Sequence, residues 1–253
     1  MQATRLDETG RHAVDEALAD ETAVALYFNG EPFVVLMATA QDLPDLALGY
    51  ALGEGLVEHP GQLTTVDLLR REGGLVYHCL LAAECSERLR ERRRQLFSAS
   101  GCGLCGAETL RQALRPPDRL RASAEWSPGR IEQAMKAMAA AQTLNLACGG
   151  LHAAAALLPG DPIALVLRED VGRHNAVDKV VGALARRKVR AEAMLVTSRA
   201  SFELVHKTAS AGIPLLAAVS APTSAAIELA RRVGLTLLGF VRDGRMTLYT
   251  DAR

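Results

Sequence analysis

From Ser127 to Tyr249 short apolar runs alternate with amphipathic helical stretches, and no other feature restricts the fold so much. Ser127-Pro128 opens a helix with Ile131, Ala134, Met135 and Met138 on one side. A second helix is predicted through His152 to Leu158, followed by a strand over Ile163–Leu167 and a helix bearing Val177, Val180, Val181 and Leu184. Then come a strand over Ala193–Val196, a helix from Ser201 to Ala211 closed by Gly212, and a strand over Pro214–Val219. A helix to Val233 with Gly234 behind it precedes the strand Leu235–Val241, and Asp243-Gly244 turns the chain into Met246–Tyr249. Strands apolar on both sides, separated by helices with one apolar face, predict a parallel sheet covered on both faces, an α/β fold.

The first half reads differently. Residues 1–20 are polar and expected to be loosely ordered. Val24, Leu26 and Phe28 alternate, Asn29-Gly30 makes a turn, and Phe33–Met37 returns, a hairpin. A helix over Pro44–Leu52, a strand near Gly74–Leu81 and an arginine-rich helix from Glu84 to Leu96 follow. Arg115-Pro116-Pro117-Asp118 breaks the chain. The expected organisation is a tail over 1–20, a smaller α+β domain over 21–120 and a larger α/β domain over 127–253.

Lys plus Arg and Asp plus Glu both total 29, so no overall charge draws the chain to nucleic acid or membrane. Aromatics make up 4% of residues, too few for a base-stacking surface. No run approaches the roughly 20 apolar residues of a membrane span, and the N-terminus lacks a signal-peptide pattern. Five cysteines, odd in number and unevenly spaced, suit a reducing cytoplasm rather than a disulfide framework.

Cys102-Gly103-Leu104-Cys105 sits in the glycine- and serine-rich stretch 98–106, predicted to be a loop. A helix predicted over Ala107–Leu114 puts Cys105 near a helix N-terminus, where the dipole favours thiolate. The pair is compatible with a sulfur-carrying loop, half of a zinc site, a thioredoxin-like redox pair or incidental thiols. Zinc is disfavoured because a structural site needs four ligands and Cys79 and Cys85 make a poor second pair. A redox pair usually sits at a strand-to-helix junction, which this stretch is not.

A second group of candidates lies at successive strand ends. Glu169–Lys179 follows a strand and opens a helix that Asn175 is expected to cap, with Arg173 and His174 in its first turn. Thr197–Ser201, with Arg199 and Ser201, and Ser220–Ser224 do the same, and Gly239-Phe240-Val241-Arg242 ends a strand. Ligands of open α/β sheets bind at the carboxyl ends of strands, and helix N-termini accept anions. Each loop alone is as well explained by capping; their recurrence points to a phosphate-bearing ligand. His152, behind Gly149-Gly150, is expected at a helix start facing that edge. The run from Arg88 to Arg94 reads as a solvated helix face.

These runs together resemble the FdhD family, formate dehydrogenase accessory sulfurtransferases. The resemblance is carried by Gly49-Tyr50 with Glu54-Gly55, Cys102–Gly106, Gly149–Ala154, Glu169–Lys179, Ser198–Glu203, Ala211–Pro214, Ser220–Thr223 and Thr236–Phe240, in order along nearly the whole chain. Gly101 and Cys148 depart from the family's frequent serine and threonine, and Cys148 leaves a second reactive sulfur open.

The resemblance implies a cytoplasmic sulfur carrier and chaperone in molybdenum cofactor biosynthesis. Such a protein takes persulfide sulfur from a cysteine desulfurase at the position of Cys102, with Cys105 beside it. It passes the sulfur to Mo-bis(molybdopterin guanine dinucleotide) for formate dehydrogenase. The implied cofactor contacts are Leu238, Gly239, Phe240, Val241, Arg242 and Asp243, joined by Arg173, His174, Asn175, Arg199 and Ser201 from the strand-end loops. The resemblance further implies a cytidine deaminase-like larger domain and a homodimer; the single close thiol pair predicts no bound zinc. A zinc deaminase is the enzyme rival, but its His-x-Glu and Pro-Cys-x-x-Cys are missing: Ala153-Ala154 follows His152 and Gly101 precedes Cys102. A guanine-nucleotide-binding, redox-sensing module remains an alternative.

Overall fold

The computed structural model of the chain describes residues 1–98, 117–120, 125–160 and 162–252, with backbone alone over 95–98. Two sheets carry it. In the first, the order is β4-β3-β6-β5, from β3 (Thr22–Phe28), β4 (Glu31–Ala38), β5 (Leu63–Arg71) and β6 (Gly74–Leu81). Asn29, at φ 55, and Gly30, at φ 84, supply the left-handed turn that the β3–β4 hairpin needs. Helix α1 (Leu43–Gly53) buries Leu46, Ala47 and Tyr50 against Val24, Leu26 and Phe28 on one face of this sheet. Helix α2 (Ser86–Ser98) adds Leu89.

The second sheet has the order β12-β11-β10-β9-β7-β8. Its strands are β7 (His152–Leu157), β8 (Leu165–Asp170), β9 (Ala193–Val196), β10 (Leu215–Ala218), β11 (Thr236–Arg242) and β12 (Arg245–Thr250). Strands β9, β10 and β11 are parallel, β7 is antiparallel to both its neighbours, and β12 is antiparallel to β11. Helices α5 (Arg173–Arg187), α6 (Phe202–Ser210) and α7 (Ser224–Val233) pack on one face. Helix α3 (Pro128–Ala140) covers the other with Ile131, Ala134, Met135 and Met138. The short helix α4 (Thr143–Cys148) leads into β7.

The two sheets meet through α1 and α5. A Cβ on Gly49 would stand 1.7 Å from the Asp178 carbonyl oxygen, and one on Gly182 2.0 Å from that of Asp45. Only glycine lets the two backbones approach so closely. Around this crossing Asp45, buried, accepts from Arg168 at 2.7 Å and Arg186 at 2.9 Å.

Several expectations are corrected. His152–Leu157 is a strand, not a helix: the helix is the preceding α4, closed by Gly149 at φ 67, and Ala153–Leu157 are buried between β8 and β9. Alanine's helix preference, a fraction of a kcal/mol per residue, is outweighed by pairing and burial on both sides. The sheet is consequently mixed rather than parallel. Residues 1–20 contain a hairpin of β1 (Gln2–Asp7) and β2 (Gly10–Asp15), although it is exposed almost throughout. Strand β5 escaped detection because most of its residues are exposed, which erases the alternation that marks a strand. The strand predicted over 163–167 runs instead to Asp170, whose partner is His152.

Candidate functional site

Since β8, β9, β10 and β11 point the same way, their carboxyl ends lie along one edge of the sheet. The antiparallel β7 begins there, so His152 faces the edge from a strand rather than from a helix. Arg173, His174, Thr197, Arg199, Ser201, Ser220, Phe240 and Arg242 therefore share one side of the molecule although they are scattered from position 173 to position 242.

The structure sorts the polar run Glu169–Lys179 into two sets. Glu169 is buried and accepts from the backbone N–H groups of Leu144 and Asn145 at 3.0 and 2.7 Å, capping α4. Asp170 is inaccessible, pairs with Lys179 at 2.6 Å, and accepts from the N–H groups of Thr39 and Gly172. Asn175 does not cap α5; Gly172 occupies that position. Its buried amide donates to the Met37 carbonyl at 2.8 Å and to Asp170 at 3.0 Å, binding the helix to β4. Asp178 is paired with Lys207 at 2.8 Å, both buried. Burial pushes the Asp178 carboxyl up to about 6, while the pairing with Asp178 outweighs burial at Lys207 and keeps its ammonium charged.

Arg173 and His174 are the other set. The Arg173 Nε is buried without a hydrogen-bond partner, and no described carboxylate pairs with its guanidinium. His174 Nε2 lies 3.3 Å from a Glu203 carboxylate oxygen, without the alignment of a hydrogen bond. Burial lowers the pKa of His174, with Glu203 opposing and Arg173, Lys207 and His152 reinforcing. Burial and then Arg173 lower that of His152, whose Nδ1 is 3.5 Å from the Thr197 hydroxyl. Two imidazoles held neutral flank a guanidinium with unspent donors, and that combination suits an incoming anion.

The neighbouring loops are braced on each other. Ala200 donates to the Ala221 carbonyl at 3.2 Å, and Thr223 donates to that of Ala200 at 3.0 Å. Ser201 caps α6 through the Leu204 N–H and Thr223 caps α7 through that of Ala226. Arg199 is exposed and has no ion-pair partner among the described residues. Along β11, Leu238 and Val241 are buried beneath α3, which leaves Gly239, Phe240, Arg242 and Asp243 at the edge. Phe240 has φ 52, which costs a bulky residue on the order of 1–3 kcal/mol. It is held there by the bulge between Gly239 and Arg242 and by donating to the Ser220 carbonyl at 3.2 Å. Gly239 has no room for a side chain: a Cβ would come within 2.9 Å of both Pro222 and Tyr249. The Arg242 guanidinium stands 5.8 Å from the Phe240 ring centre.

Cys102 and Cys105, with the loop over 98–106 and the helix predicted over 107–114, fall outside the described residues save for Ser98, the last residue of α2. Of the remaining thiols, Cys79 is buried and pushed up to about 12 by that burial, Cys85 is buried beside Arg88, and Cys148 is half-buried at the end of α4. Among the described residues no three His, Cys, Asp or Glu side chains gather as a metal site. The arginine run of α2 is a salt-bridged face: Arg88 pairs with Glu58, Arg92 with Glu54 and Arg93 with Glu31. No helix among the described residues is long and apolar enough to cross a membrane.

Fold and edge together define a mixed α/β protein whose strand-end loops bring arginines to one side, Arg173 and Arg199 among them without an ion pair to any described residue. The chain belongs to the FdhD/NarQ family, whose model matches residues 19–253. The sulfur carrier protein FdhD of Bordetella bronchiseptica is 46% identical over 235 residues, covering 92% of this chain and 85% of its own. That of Xanthomonas axonopodis pv. citri is 44% identical over 253 residues, covering 99% and 90%. A crystal structure of a Desulfotalea psychrophila protein, provisionally described as a formate dehydrogenase accessory protein, superposes with a TM-score of 0.75 at 22% identity. It covers 99% of this chain and 95% of its own, which is a likeness of fold.

Proposed function

We propose that this protein is a cytoplasmic sulfur carrier serving formate dehydrogenase. Cys102 receives sulfur as a persulfide from a cysteine desulfurase, and Cys105 assists its release. The acceptor is Mo-bis(molybdopterin guanine dinucleotide), bound as substrate along the strand-end edge. A persulfide suits the task because its outer sulfur is electrophilic and leaves a cysteine thiolate behind. The relatives' names as sulfur carriers support the role, and the edge itself carries the reading. Arg173 and Arg199, from separate loops, present guanidinium groups with no ion-pair partner among the described residues beside the N-termini of α5 and α6. A ligand with two pyrophosphates needs several such donors. Glu169, Asn175 and Lys179 hold the frame on which those donors stand.

In this reading the protein works as a homodimer and binds no zinc, and its chain divides into domains over 21–120 and 127–253. Helices on both faces of the six-stranded sheet support a cytidine deaminase-like layout for the larger one. The test is intact-mass analysis after incubation with a cysteine desulfurase and cysteine. Wild type is expected to gain the mass of one sulfur atom, and Cys102→Ala to gain none and to leave formate dehydrogenase inactive. Loading and full activation by Cys102→Ala would overturn the assignment.

A further inference from the structure

Helices α5 and α6 leave the strand-end edge side by side, and two rungs of charge join them. His174, the second residue of α5, and Glu203, the second residue of α6, form the outer rung, with Nε2 3.3 Å from the carboxylate. One turn deeper, Asp178 of α5 accepts from Lys207 of α6 at 2.8 and 3.0 Å. Residues four apart lie on one helix face, so the four side chains make a square. Its inner rung is closed. Asp178 and Lys207 are buried, and Tyr50 of α1 covers the ammonium, which stands 5.5 Å from the ring centre.

The outer rung is open. Glu203 is exposed and makes no second ion pair among the described residues. Lys207, its neighbour along α6, is committed to Asp178. The close partner of Glu203 is therefore an imidazole, and that imidazole rests uncharged. Burial first, then Arg173, Lys207 and His152, outweigh the pull of Glu203 on its proton. The N-terminus of α5 acts in the same sense, since its dipole opposes a cation. The groups around His174 are thus Arg173 and Asp178 on its own helix, Glu203 and Lys207 on α6, His152 on β7 and, behind the inner rung, Glu54 on α1. An acid in a first turn complements its own helix dipole, which accounts for Glu203 taken singly. It does not account for the histidine set against it, nor for the reversed order of charge on the rung below.

This arrangement conflicts with the edge it borders. The buried Nε of Arg173 lacks an acceptor, yet a phosphate drawn there approaches the Glu203 carboxylate beside the adjacent His174. A proton on His174 removes the conflict. Both ring nitrogens then donate, Nε2–H to Glu203 and Nδ1–H to the ligand, and a positive charge stands between the two anions. We propose that Glu203 is a positioning residue of this edge: it orients His174 and balances its charge, so that a phosphate-bearing ligand is taken up together with a proton. The proposal rests on the reading of the edge as an anion site. The proton comes from solvent, resides on the imidazole while the ligand is bound, and returns to solvent on release. Uptake is greatest between the lowered pKa of free His174 and the higher value that two flanking anions give it, and it fades above both.

The experiment titrates guanosine diphosphate into wild type, His174→Gln and Glu203→Gln by calorimetry at about pH 6, about pH 7 and about pH 8.5. Each titration is run in two buffers of different ionisation enthalpy, which yields the protons taken up per ligand bound. The terminal phosphate of the nucleotide itself titrates at about pH 6, and subtracting the His174→Gln result removes that contribution. Wild type is expected to take up more protons than His174→Gln at the two lower pH values, and Glu203→Gln to fall to the level of His174→Gln. Glu203→Gln should bind about threefold or more weakly than wild type at about pH 6. At about pH 8.5, where His174 is neutral in both, it should bind as tightly or more tightly, because a negative charge has left the rim. A carboxylate with a purely structural role would weaken binding by one factor at every pH. That result, or wild-type proton uptake by Glu203→Gln, overturns the inference and leaves the anion site standing. If Glu203→Gln does not fold, His174→Gln decides alone: uptake equal to that of wild type refutes the proposal. If wild type binds no guanosine diphosphate, the anion reading and the inference fall together.

Discussion

Asp170 and Lys179, neither reachable by solvent, pair at 2.6 Å where the six-stranded sheet meets the end of β4. Lys179 also donates to the Thr39 and Glu169 carbonyls, so one ammonium joins three chain segments. Lys179→Met would strand a buried carboxylate. The expected cost is about 3–5 kcal/mol, read as a lower denaturation midpoint with unchanged slope. A loss under about 1 kcal/mol would show that water reaches Asp170 and that the junction is looser than described.

The α1–α5 crossing has a similar signature. Gly49→Ala places a methyl group against the Asp178 backbone, which has no rotamer to change. A loss of about 1–3 kcal/mol or more is expected by thermal unfolding. Gly129→Ala in α3 is the control: nothing lies within 4 Å, and alanine in a helix should stabilise by up to about 1 kcal/mol. Equal melting temperatures for the two variants would contradict the close approach.

His152 and His174 tie stability to pH. Both have folded pKa values below the ordinary 6.5, so the unfolded chain binds protons first as pH falls. Their contribution is intact above about pH 6.5 and is lost as pH drops through the lowered folded values. Asp178, pushed up to about 6, titrates in the opposite sense, so the measurement is a difference. Relative to His152→Gln/His174→Gln, wild type should lose more stability between pH 7.5 and pH 5. Parallel pH profiles would remove the histidines from the account.

Anion binding at the strand-end edge is tested by calorimetry with a guanine nucleotide. Arg173→Ala is expected to weaken affinity roughly ten- to a hundredfold while remaining folded, the loss of one charge-assisted contact. A bound phosphate would also favour protonated His174, whose pKa burial lowers, so affinity should rise as pH falls toward that lowered value. Wild-type affinity in Arg173→Ala would move the ligand to other loops.

Thiol chemistry separates the described cysteines. Cys79, pushed up to about 12 and buried, should resist alkylation at neutral pH, as should buried Cys85. Cys148, half-buried, should be labelled in the native state. Peptide mapping that finds Cys79 labelled before unfolding would refute the buried assignment.

The amino-acid sequence by itself determined most elements of the larger sheet. Val177, Val180, Val181 and Leu184 recur at helical spacing and face the core of α5, and Ala193–Val196 forms β9 as read. Asn29-Gly30 specified its hairpin because only left-handed backbone closes so tight a turn. Strand-end placement of Arg173, Arg199 and Arg242 was legible too, since loops that follow strands of one direction must share an edge. What only the tertiary structure decided is where neighbours outvote local preference. Ala153–Ala156 carries no periodicity, and its place between β8 and β9 made it a strand. The polar residues of Glu169–Lys179 read alike, yet Glu169, Asp170, Asn175 and Lys179 are consumed by internal partners while the Arg173 Nε is not. Whether a polar side chain is satisfied depends on atoms such as the Met37 and Thr39 carbonyls, more than 130 residues away. Sequence spacing reports only neighbours along the chain, and hydrogen bonding is decided by neighbours in space.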